Sequence, residues 1–241
     1  MEKQTVLITG ANKGIGLEAA RQLATAGYYI YLGSRDQDRG EKAVAELKAE
    51  GLNDVELLLI DVTNEASVQK AHNELAAKID HLDVLINNAG IPGSFPQVSY
   101  ATSDATMKEV FEVNFFGVIR TVRIFIDLVK KSPNPRIVNV TSDLGSLAYH
   151  NDPDWQYYHF KSAAYGPSKT ALNAYTVALA FDLKDKVKVN MVNPGYTNTE
   201  FNGNQGPKPV EDGAAPIVEY AMLGVDGPTG KYVSDYGETP W

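Results

Sequence analysis

Short apolar runs rich in β-branched residues alternate with longer segments of helical periodicity along the whole chain. The apolar runs are nearly continuous, without strict alternation of apolar and polar positions. This is typical of strands covered on both faces, as in parallel sheets. Seven segments show the pattern: 5–9, 28–33, 55–60, 83–87, 136–141, 187–193 and the shorter 231–234.

The segments between these runs place apolar residues at helical spacing, and they span 14–27, 37–50, 64–79, 103–131, 163–184 and 210–223. Asp36, Asn64 and Ser103 stand at three helix starts and are residue types that cap helix N-termini. The repeated order of strand and helix predicts an α/β fold with a doubly wound parallel sheet of about seven strands flanked by helices. No linker, repeat or low-complexity tract interrupts it, so we expect residues 1–241 to form a single domain.

Composition and charge narrow the class of protein. The chain has 241 residues and no cysteine, which excludes disulfides and thiolate metal sites. The four histidines lack ligand spacing, so no metal site is predicted. A net charge of −8 without a basic stripe argues against nucleic acid as a partner. No apolar run approaches the roughly 20 residues that span a bilayer, and the start MEKQTVLITG lacks a signal-peptide layout. We therefore expect a soluble, cytoplasmic protein without a membrane partner.

A glycine-rich turn, TGANKGIG, follows the first strand and opens the first helix. Glycines at such a turn let backbone N–H groups approach a pyrophosphate at the helix N-terminus. The spacing G-x-x-x-G-x-G differs by one residue from the commoner dinucleotide fingerprint, and a purely structural turn is the alternative. Its place in a βαβ unit favours a dinucleotide site formed by Gly10, Asn12, Lys13, Gly14, Ile15 and Gly16.

Further motifs follow in order: NNAG at 87–90, Asn114, Ser142, a tyrosine and a lysine four residues apart, and NPG at 193–195. On these landmarks, which cover most of the chain, it resembles the short-chain dehydrogenase/reductase family in its compact, single-domain form. The ending GPTGKYVSDYGETPW resembles the carbonyl-reductase branch. The resemblance implies a Rossmann-type fold and the catalytic residues Asn114, Ser142, Tyr165 and Lys169. It also implies a cofactor cleft lined by Asn87, Ala89, Gly90, Tyr165, Lys169, Pro194, Gly195 and Thr197.

The end of the second strand bears on which nicotinamide cofactor is bound. Ser34 occupies the position where NAD-dependent members of the family carry an acid, and Arg35 follows it. A serine and a guanidinium suit a 2′-phosphate that an acid would repel, and Lys13 supplies a second cation. Asp36 is the counter-evidence, which we interpret as a helix N-cap. NADP(H) is therefore predicted over NAD(H), with Asp61 and Val62 at the adenine.

Two tyrosine–lysine pairs compete for the catalytic role, because Tyr157 and Lys161 have the same spacing as Tyr165 and Lys169. A residue pair at i and i+4 shares one helix face, and a nearby cation is expected to lower the pKa of the tyrosine. The number of residues along the chain from Ser142 to the tyrosine favours Tyr157 as the catalytic residue. The helical pattern that begins at Tyr165, the distance to NPG and the small residues around Tyr165 favour the second pair, which we predict to be catalytic.

The segment carrying the first pair is then an insertion at about 147–160. We interpret it either as a cover over the neighbouring helix or as a wall of the substrate pocket. Candidate substrate contacts are Trp155 and Tyr157, together with Tyr196 and Phe201 from a substrate-loop region at about 195–212. Because family members form tetramers through a face of this helix and insertions can cover it, a monomer or homodimer is expected.

The resemblance implies reversible, NADPH-dependent reduction of ketones or aldehydes to alcohols by a broad carbonyl reductase acting on small molecules. Ser142 would orient the substrate oxygen, with Ser146 as the alternative serine, because Thr141 and Asp143 depart from the family pattern around Ser142. Asn114 would hold a water linking Lys169 to solvent, or mend a helix kink. A dedicated alcohol dehydrogenase or ketoacyl reductase and a non-catalytic NADP-binding redox sensor are the alternatives. An acyl carrier protein would need a basic patch, for which the chain offers Arg120, Arg123, Lys130 and Lys131.

Overall fold

A computed structural model describes residues 3–241. Residues 1 and 2 belong to the predicted domain and to the start interpreted as lacking a signal peptide, and they lie outside the described residues. Eight strands form one sheet. They are β1 (Thr5–Ile8), β2 (Tyr29–Ser34), β3 (Val55–Leu59), β4 (Val84–Asn87), β5 (Arg136–Val140), β6 (Lys188–Val192), β7 (Tyr232–Ser234) and β8 (Gly237–Glu238).

The helices between the strands are α1 (Gly14–Thr25), α2 (Gln37–Ala49), α3 (Glu65–Ala76), α4 (Asp104–Phe111), α5 (Gly117–Val129), α6 (Leu147–Asn151), α7 (Tyr165–Leu183) and α8 (Val210–Ala221). The three predicted N-caps are confirmed, because each side chain accepts a hydrogen bond from the backbone N–H three residues later. Among residues 3–241, no helix is both long and apolar enough to cross a bilayer.

The sheet has the order β3-β2-β1-β4-β5-β6-β7-β8 and is parallel except for the final pair. The predicted α/β, Rossmann-type fold is thereby confirmed, and β8 is the strand that apolar patterning missed, since it has two exposed residues. The order reverses between β1 and β4, which opens a crevice at their carboxyl ends. Both faces are covered: Val6 and Ile8 pack with α1, α2 and α8, whereas Leu7 packs with α3, α5 and α7.

The segment 103–131, expected as one helix, is interrupted by a π-helical turn at Glu112–Phe116 between α4 and α5. Such turns insert a residue and are frequent near functional sites. Asn114 lies within this turn, and its side chain pairs with both backbone groups of Ile91 at 2.8 and 3.0 Å. The tertiary contact with Ile91 and the π turn occur together, and apolar spacing alone does not reveal either of them.

Candidate active site

A cleft of about 1070 Å³ opens at the carboxyl ends of the strands. It runs from the glycine turn to a cluster of aromatic side chains and therefore has room for a dinucleotide and a small substrate. Most of the predicted cofactor residues line it, namely Gly10, Asn12, Lys13, Gly14, Ile15, Gly16, Arg35, Asp61, Val62, Ala89, Gly90, Tyr165, Lys169, Pro194, Gly195 and Thr197.

The glycine turn is shaped in a way that side chains would obstruct. Gly10 and Gly14 have φ of 63° and 56°, in the left-handed region that favours glycine. A Cβ atom added at Gly16 would lie 2.4 Å from Nδ2 of Asn88. At the N-terminus of α1 the backbone N–H groups are thus not covered by side chains, so a pyrophosphate can approach them. These residues fit a dinucleotide.

Asn88 was missed as a functional residue although it belongs to the NNAG motif. Its amide donates to the carbonyl oxygens of Thr9 and Gly10 at 2.9 and 3.1 Å and so holds the glycine turn. Asn87, named in its place, does not line the cleft. Its buried amide donates at 2.8 Å to the side-chain oxygen of Asn139, its partner on the adjacent strand β5.

The end of β2 differs from the expectation at one residue. Ser34 is buried and does not line the cleft, and its hydroxyl donates to the carbonyl oxygen of Asp36 at 2.8 Å. Arg35 does line the cleft, as does Arg39, which sequence reasoning missed. Arg39 lies one turn into α2 with its side chain 68% exposed, 3.6 Å from the carboxylate of Asp36.

Asp61, predicted to lie at the adenine, is held in place by its own loop. It lines the cleft, and its Oδ1 accepts hydrogen bonds from the N–H and the hydroxyl of Thr63, at 3.0 and 2.7 Å. At the same end of the cleft, Lys13 forms an ion pair of 2.9 Å with Glu200, in a 3₁₀ turn at Glu200–Asn202.

The structure brings Ser142, Tyr165 and Lys169 together. Tyr165 is the first residue of α7 and lines the cleft together with Ser142, which follows β5 and is close enough to lower the tyrosine pKa. Nζ of Lys169, one turn further along α7, lies 5.9 Å from the centroid of the Tyr165 ring. The same Nζ donates to the carbonyl oxygen of Val140 at 2.8 Å. Ser146 takes no part, since it is fully buried and caps α6.

The expected lowering of the tyrosine pKa is wrong for this structure. Burial raises the pKa of Tyr165 to about 12, against a smaller lowering by the neighbouring Ser142 side chain. Burial also lowers the pKa of Lys169 to about 8, because the charged ammonium loses hydration. Desolvation is therefore the largest cause of both shifts, and the Tyr165 hydroxyl carries its proton at neutral pH.

Asn114 lies behind the cleft wall. Besides the two bonds to Ile91, its amide donates to the hydroxyl of Ser168 at 3.1 Å. A Cβ atom built on Gly90 would lie 3.3 Å from its Oδ1 and 3.7 Å from Nζ of Lys169. Asn114 and Lys169 therefore both lie near Gly90. The bonds of Asn114 to Ile91 stabilise the π turn, which is the structural role predicted for it.

In the other tyrosine–lysine pair, the lysine contacts residues other than Tyr157. Lys161 donates to the carbonyl oxygen of His150 at 2.9 Å and lies 4.3 Å from the Tyr158 ring centroid. Tyr157 packs edge-to-face against Trp155, at a centroid distance of 5.6 Å, and against Tyr196 at 5.7 Å. The segment thus forms a wall of the cleft, lined by Trp155, Tyr157 and Phe160.

The substrate loop closes the opposite side. Phe201 packs on the Tyr165 ring at a centroid distance of 5.7 Å, and Tyr196 also lines the cleft. Thr197 is buried and donates to the carbonyl oxygen of Pro194 at 3.1 Å. The four predicted substrate contacts therefore share one aromatic end of the cleft.

The carboxyl-terminal segment reaches this end of the cleft as well. Tyr232 donates to the carbonyl oxygen of Ser142 at 2.6 Å, and Tyr236 donates to the carboxylate of Asp143, which also lines the cleft. Asn193 donates to the same carboxylate oxygen. The departure from the family pattern at Asp143 was noted in the sequence, but its tyrosine and asparagine partners lie 50 or more residues away.

A bare glycine turn at the switch point of a doubly wound sheet, with a Ser–Tyr–Lys group at the same edge, is the arrangement of a Rossmann-type oxidoreductase. A family model described as short chain dehydrogenase matches residues 4–209. The chain belongs to this short-chain dehydrogenase family.

Relatives and solved structures share this architecture. Short-chain dehydrogenase/reductase 1 of Saponaria officinalis is 34% identical, with 100% of this chain and 97% of that protein covered. The structure of salutaridine reductase from Papaver somniferum superposes with a TM-score of 0.83 and 30% identity, covering 95% of this chain and 98% of that chain. An alcohol dehydrogenase of Thermococcus sibiricus, complexed with 5-hydroxy-NADP, gives a TM-score of 0.80 and 28% identity over 95% and 94%.

Proposed function

We propose that this oxidoreductase, whose family acts on alcohol and carbonyl groups, is an NADPH-dependent reductase of ketones and aldehydes with broad substrate tolerance. The observation that carries the proposal is that Ser142, Tyr165 and Lys169 together line one cleft, at the boundary between its glycine-turn end and its aromatic end. A substrate carbonyl held at that boundary lies within reach of both hydroxyls. The aromatic walls offer apolar area with few directional demands, which suits varied substrates.

Charge at the adenosine end supports NADP(H). Lys13, Arg35 and Arg39 line this end of the cleft, and guanidinium groups bind phosphate with paired hydrogen bonds. The acid that would meet a ribose hydroxyl in an NAD enzyme is absent from position 34. The Thermococcus alcohol dehydrogenase, at 28% identity, was solved with an NADP derivative, which agrees with this assignment.

When bound, the nicotinamide supplies the hydride that the carbonyl carbon accepts. Tyr165 donates its hydroxyl proton to the carbonyl oxygen, which gains it as the carbon–oxygen double bond becomes single. Ser142 donates a hydrogen bond to the same oxygen and stabilises the negative charge that develops there. The high pKa of Tyr165 keeps this donor protonated at neutral pH.

Lys169 has two functions in this proposal. Its ammonium group stabilises the phenolate left by Tyr165 after proton transfer, and its lowered pKa, about 8, allows it to pass a proton on at near-neutral pH. Asn114 is hydrogen-bonded to the backbone of Ile91, the residue after Gly90, which lies near this lysine. In the proposal, Asn114 holds a water through which the proton is replaced. In the oxidative direction the same groups act in reverse.

The test is NADPH oxidation measured with a panel of aliphatic and aromatic ketones and aldehydes. Turnover of several unrelated carbonyl compounds, with NADH much less effective, is the expected result. Turnover of one compound alone would indicate a dedicated dehydrogenase. NADPH binding without any turnover would contradict the proposal and favour a redox sensor.

The structure weakens the argument for an acyl carrier substrate. Arg120 pairs with Glu112 at 2.7 Å, and Arg123 pairs with Glu65 at 2.8 Å. Two of the four cations in the suggested basic patch are therefore compensated by carboxylates. The second enzymatic candidate is a ketoacyl reductase, and its only support is that it reduces a carbonyl group by the same reaction.

A further inference from the structure

We propose that the aromatic end of the cleft selects carbonyl substrates that also carry a protonated amine, and that Asp143 is the residue that recognises the amine. This inference rests on the proposed function, since it names the substrate class for the same site. It starts from the position of a carboxylate directly after Ser142 in a pocket otherwise built from rings.

The carboxylate of Asp143 is held with one oxygen engaged and the other available. The hydroxyl of Tyr236 and the amide of Asn193 both donate to Oδ1. Oδ2 has no hydrogen-bond partner among residues 3–241, and it is not one of the enclosed, unpartnered polar atoms there. Since Asp143 lines the cleft, its second oxygen is open to a donor that enters with the substrate.

The two donors fix the orientation of this carboxylate. Tyr236 also accepts a hydrogen bond from Asn193 at 3.0 Å, which makes a closed group of three side chains. Asp143 is 8% exposed, so its position is set by packing and not by solvent. A fixed acceptor in a pocket of low polarity interacts more strongly with a cation than an exposed one does.

The surrounding rings suit a cation as well. Trp155, Tyr157, Phe160, Tyr196 and Phe201 line this end of the cleft. The faces of aromatic rings attract ammonium groups, and the attraction is larger where water is excluded. A protonated tertiary amine, with its apolar substituents, matches both the rings and the carboxylate.

The cations of the cleft lie elsewhere. Among the residues that line it, the cationic ones are Lys13, Arg35, Arg39 and Lys169, and the first three belong to the adenosine end. Burial raises the pKa of Asp143, and Lys208, which is bound to Asp235 at 2.8 Å, acts in the opposite direction. Asp143 thus places its carboxylate beside Ser142, which disfavours carboxylate-bearing substrates and favours amines.

The test compares two ketones of equal shape, 3-(dimethylaminomethyl)acetophenone and 3-isobutylacetophenone, which differ by a protonated nitrogen in place of a CH group. We expect kcat/KM with NADPH to be about tenfold higher for the amine in the unmodified enzyme. In Asp143→Asn, the ratio between the two ketones should fall close to one. Asparagine retains an oxygen that can accept from Tyr236 and Asn193. The control is Asp154→Asn, which alters an exposed carboxylate in the insertion at about 147–160. In this variant the ratio between the two ketones should stay at its original value.

A second measurement does not depend on any variant. N,N-dimethylbenzylamine should inhibit reduction of 3-isobutylacetophenone competitively, and more strongly than isobutylbenzene. Equal rates for the two ketones, equal inhibition by the two additives, or an amine preference that survives in Asp143→Asn would overturn the inference and leave the proposed function standing. If the enzyme binds NADPH and reduces neither ketone nor any other carbonyl compound, the proposed function itself fails.

Discussion

Lys13 and Glu200 lie 187 residues apart in the chain and form an ion pair of 2.9 Å that joins the glycine turn to the substrate loop. The contact links the two ends of the cleft, since Lys13 is a candidate phosphate ligand and the residue after Glu200 packs on Tyr165. We therefore expect a cofactor phosphate and the Glu200 carboxylate to compete for the same ammonium group.

Replacing Glu200 by glutamine should strengthen NADPH binding. The substitution frees Lys13 and removes a negative charge near the phosphate. Because both side chains are largely exposed, the gain is modest, roughly two- to fivefold in Kd. Fluorescence titration with NADPH and NADH measures it. Binding of NADH, which lacks the phosphate, should change less, and weaker NADPH binding in the variant would contradict the competition.

Arg35→Asp should reverse the cofactor preference. The change exchanges a phosphate-binding guanidinium for a carboxylate that repels the phosphate and accepts hydrogen bonds from ribose hydroxyls. We expect KM for NADPH to rise by at least about tenfold, with KM for NADH unchanged or lower. Lys42→Asp, the same charge reversal at an exposed position of α2, is the control. If Arg35→Asp left the affinity for NADPH and the affinity for NADH both unchanged, the assignment of Arg35 to the phosphate would be refuted.

Tyr165→Phe should abolish most of the activity, whereas Tyr157→Phe should retain it. Loss of a positioned proton donor typically costs 10²- to 10⁴-fold in rate, and kcat should fall while NADPH affinity is preserved. Tyr157 lacks a lysine at its ring and lines only the pocket wall, so its variant should alter KM for bulky ketones. The opposite pattern, with Tyr157 indispensable, would show that the wrong pair has been assigned.

Burial of Lys169 should make the stability of the protein depend on pH. Its pKa is about 8 in the folded chain, below the ordinary value of 10.5, so between these values the unfolded chain binds more protons. The free energy of unfolding therefore rises with pH over this window, by at most about 1.4 kcal/mol per pH unit. Compared with Lys169→Met, the unmodified protein should gain stability between pH 8 and 9.5.

Urea denaturation at several pH values tests this for the cofactor-free protein. The range stops below pH 10 because the raised pKa of Tyr165 acts with the opposite sign above it. Lys161→Met, at an exposed lysine, serves as the matched control and should run parallel to the unmodified protein. A constant difference between Lys169→Met and the unmodified protein would show that the lysine is not desolvated as the structure indicates.

The sequence by itself determined the alternation of strands and helices along the chain, the doubly wound class of sheet and the glycine turn. These features follow from local patterns: apolar periodicity, capping residues such as Asp36, and glycines such as Gly10 that adopt positive φ. The choice of Tyr165 over Tyr157 also rested on the chain, since a helical pattern begins at Tyr165. Its catalytic role remains a prediction that the variants above would test.

Tertiary structure decided what depends on contacts between distant segments. The π turn at Asn114 is accompanied by hydrogen bonds to the backbone of Ile91, and the Ser34 hydroxyl bonds within its own loop. Asp143 is oriented by Asn193, directly after β6, and by Tyr236 near the carboxyl terminus. The pKa of Tyr165 was expected to fall and instead rises, because burial is a property of the packed whole. Spacing along a helix gives the neighbours of a charge, but only the fold determines how much water surrounds it.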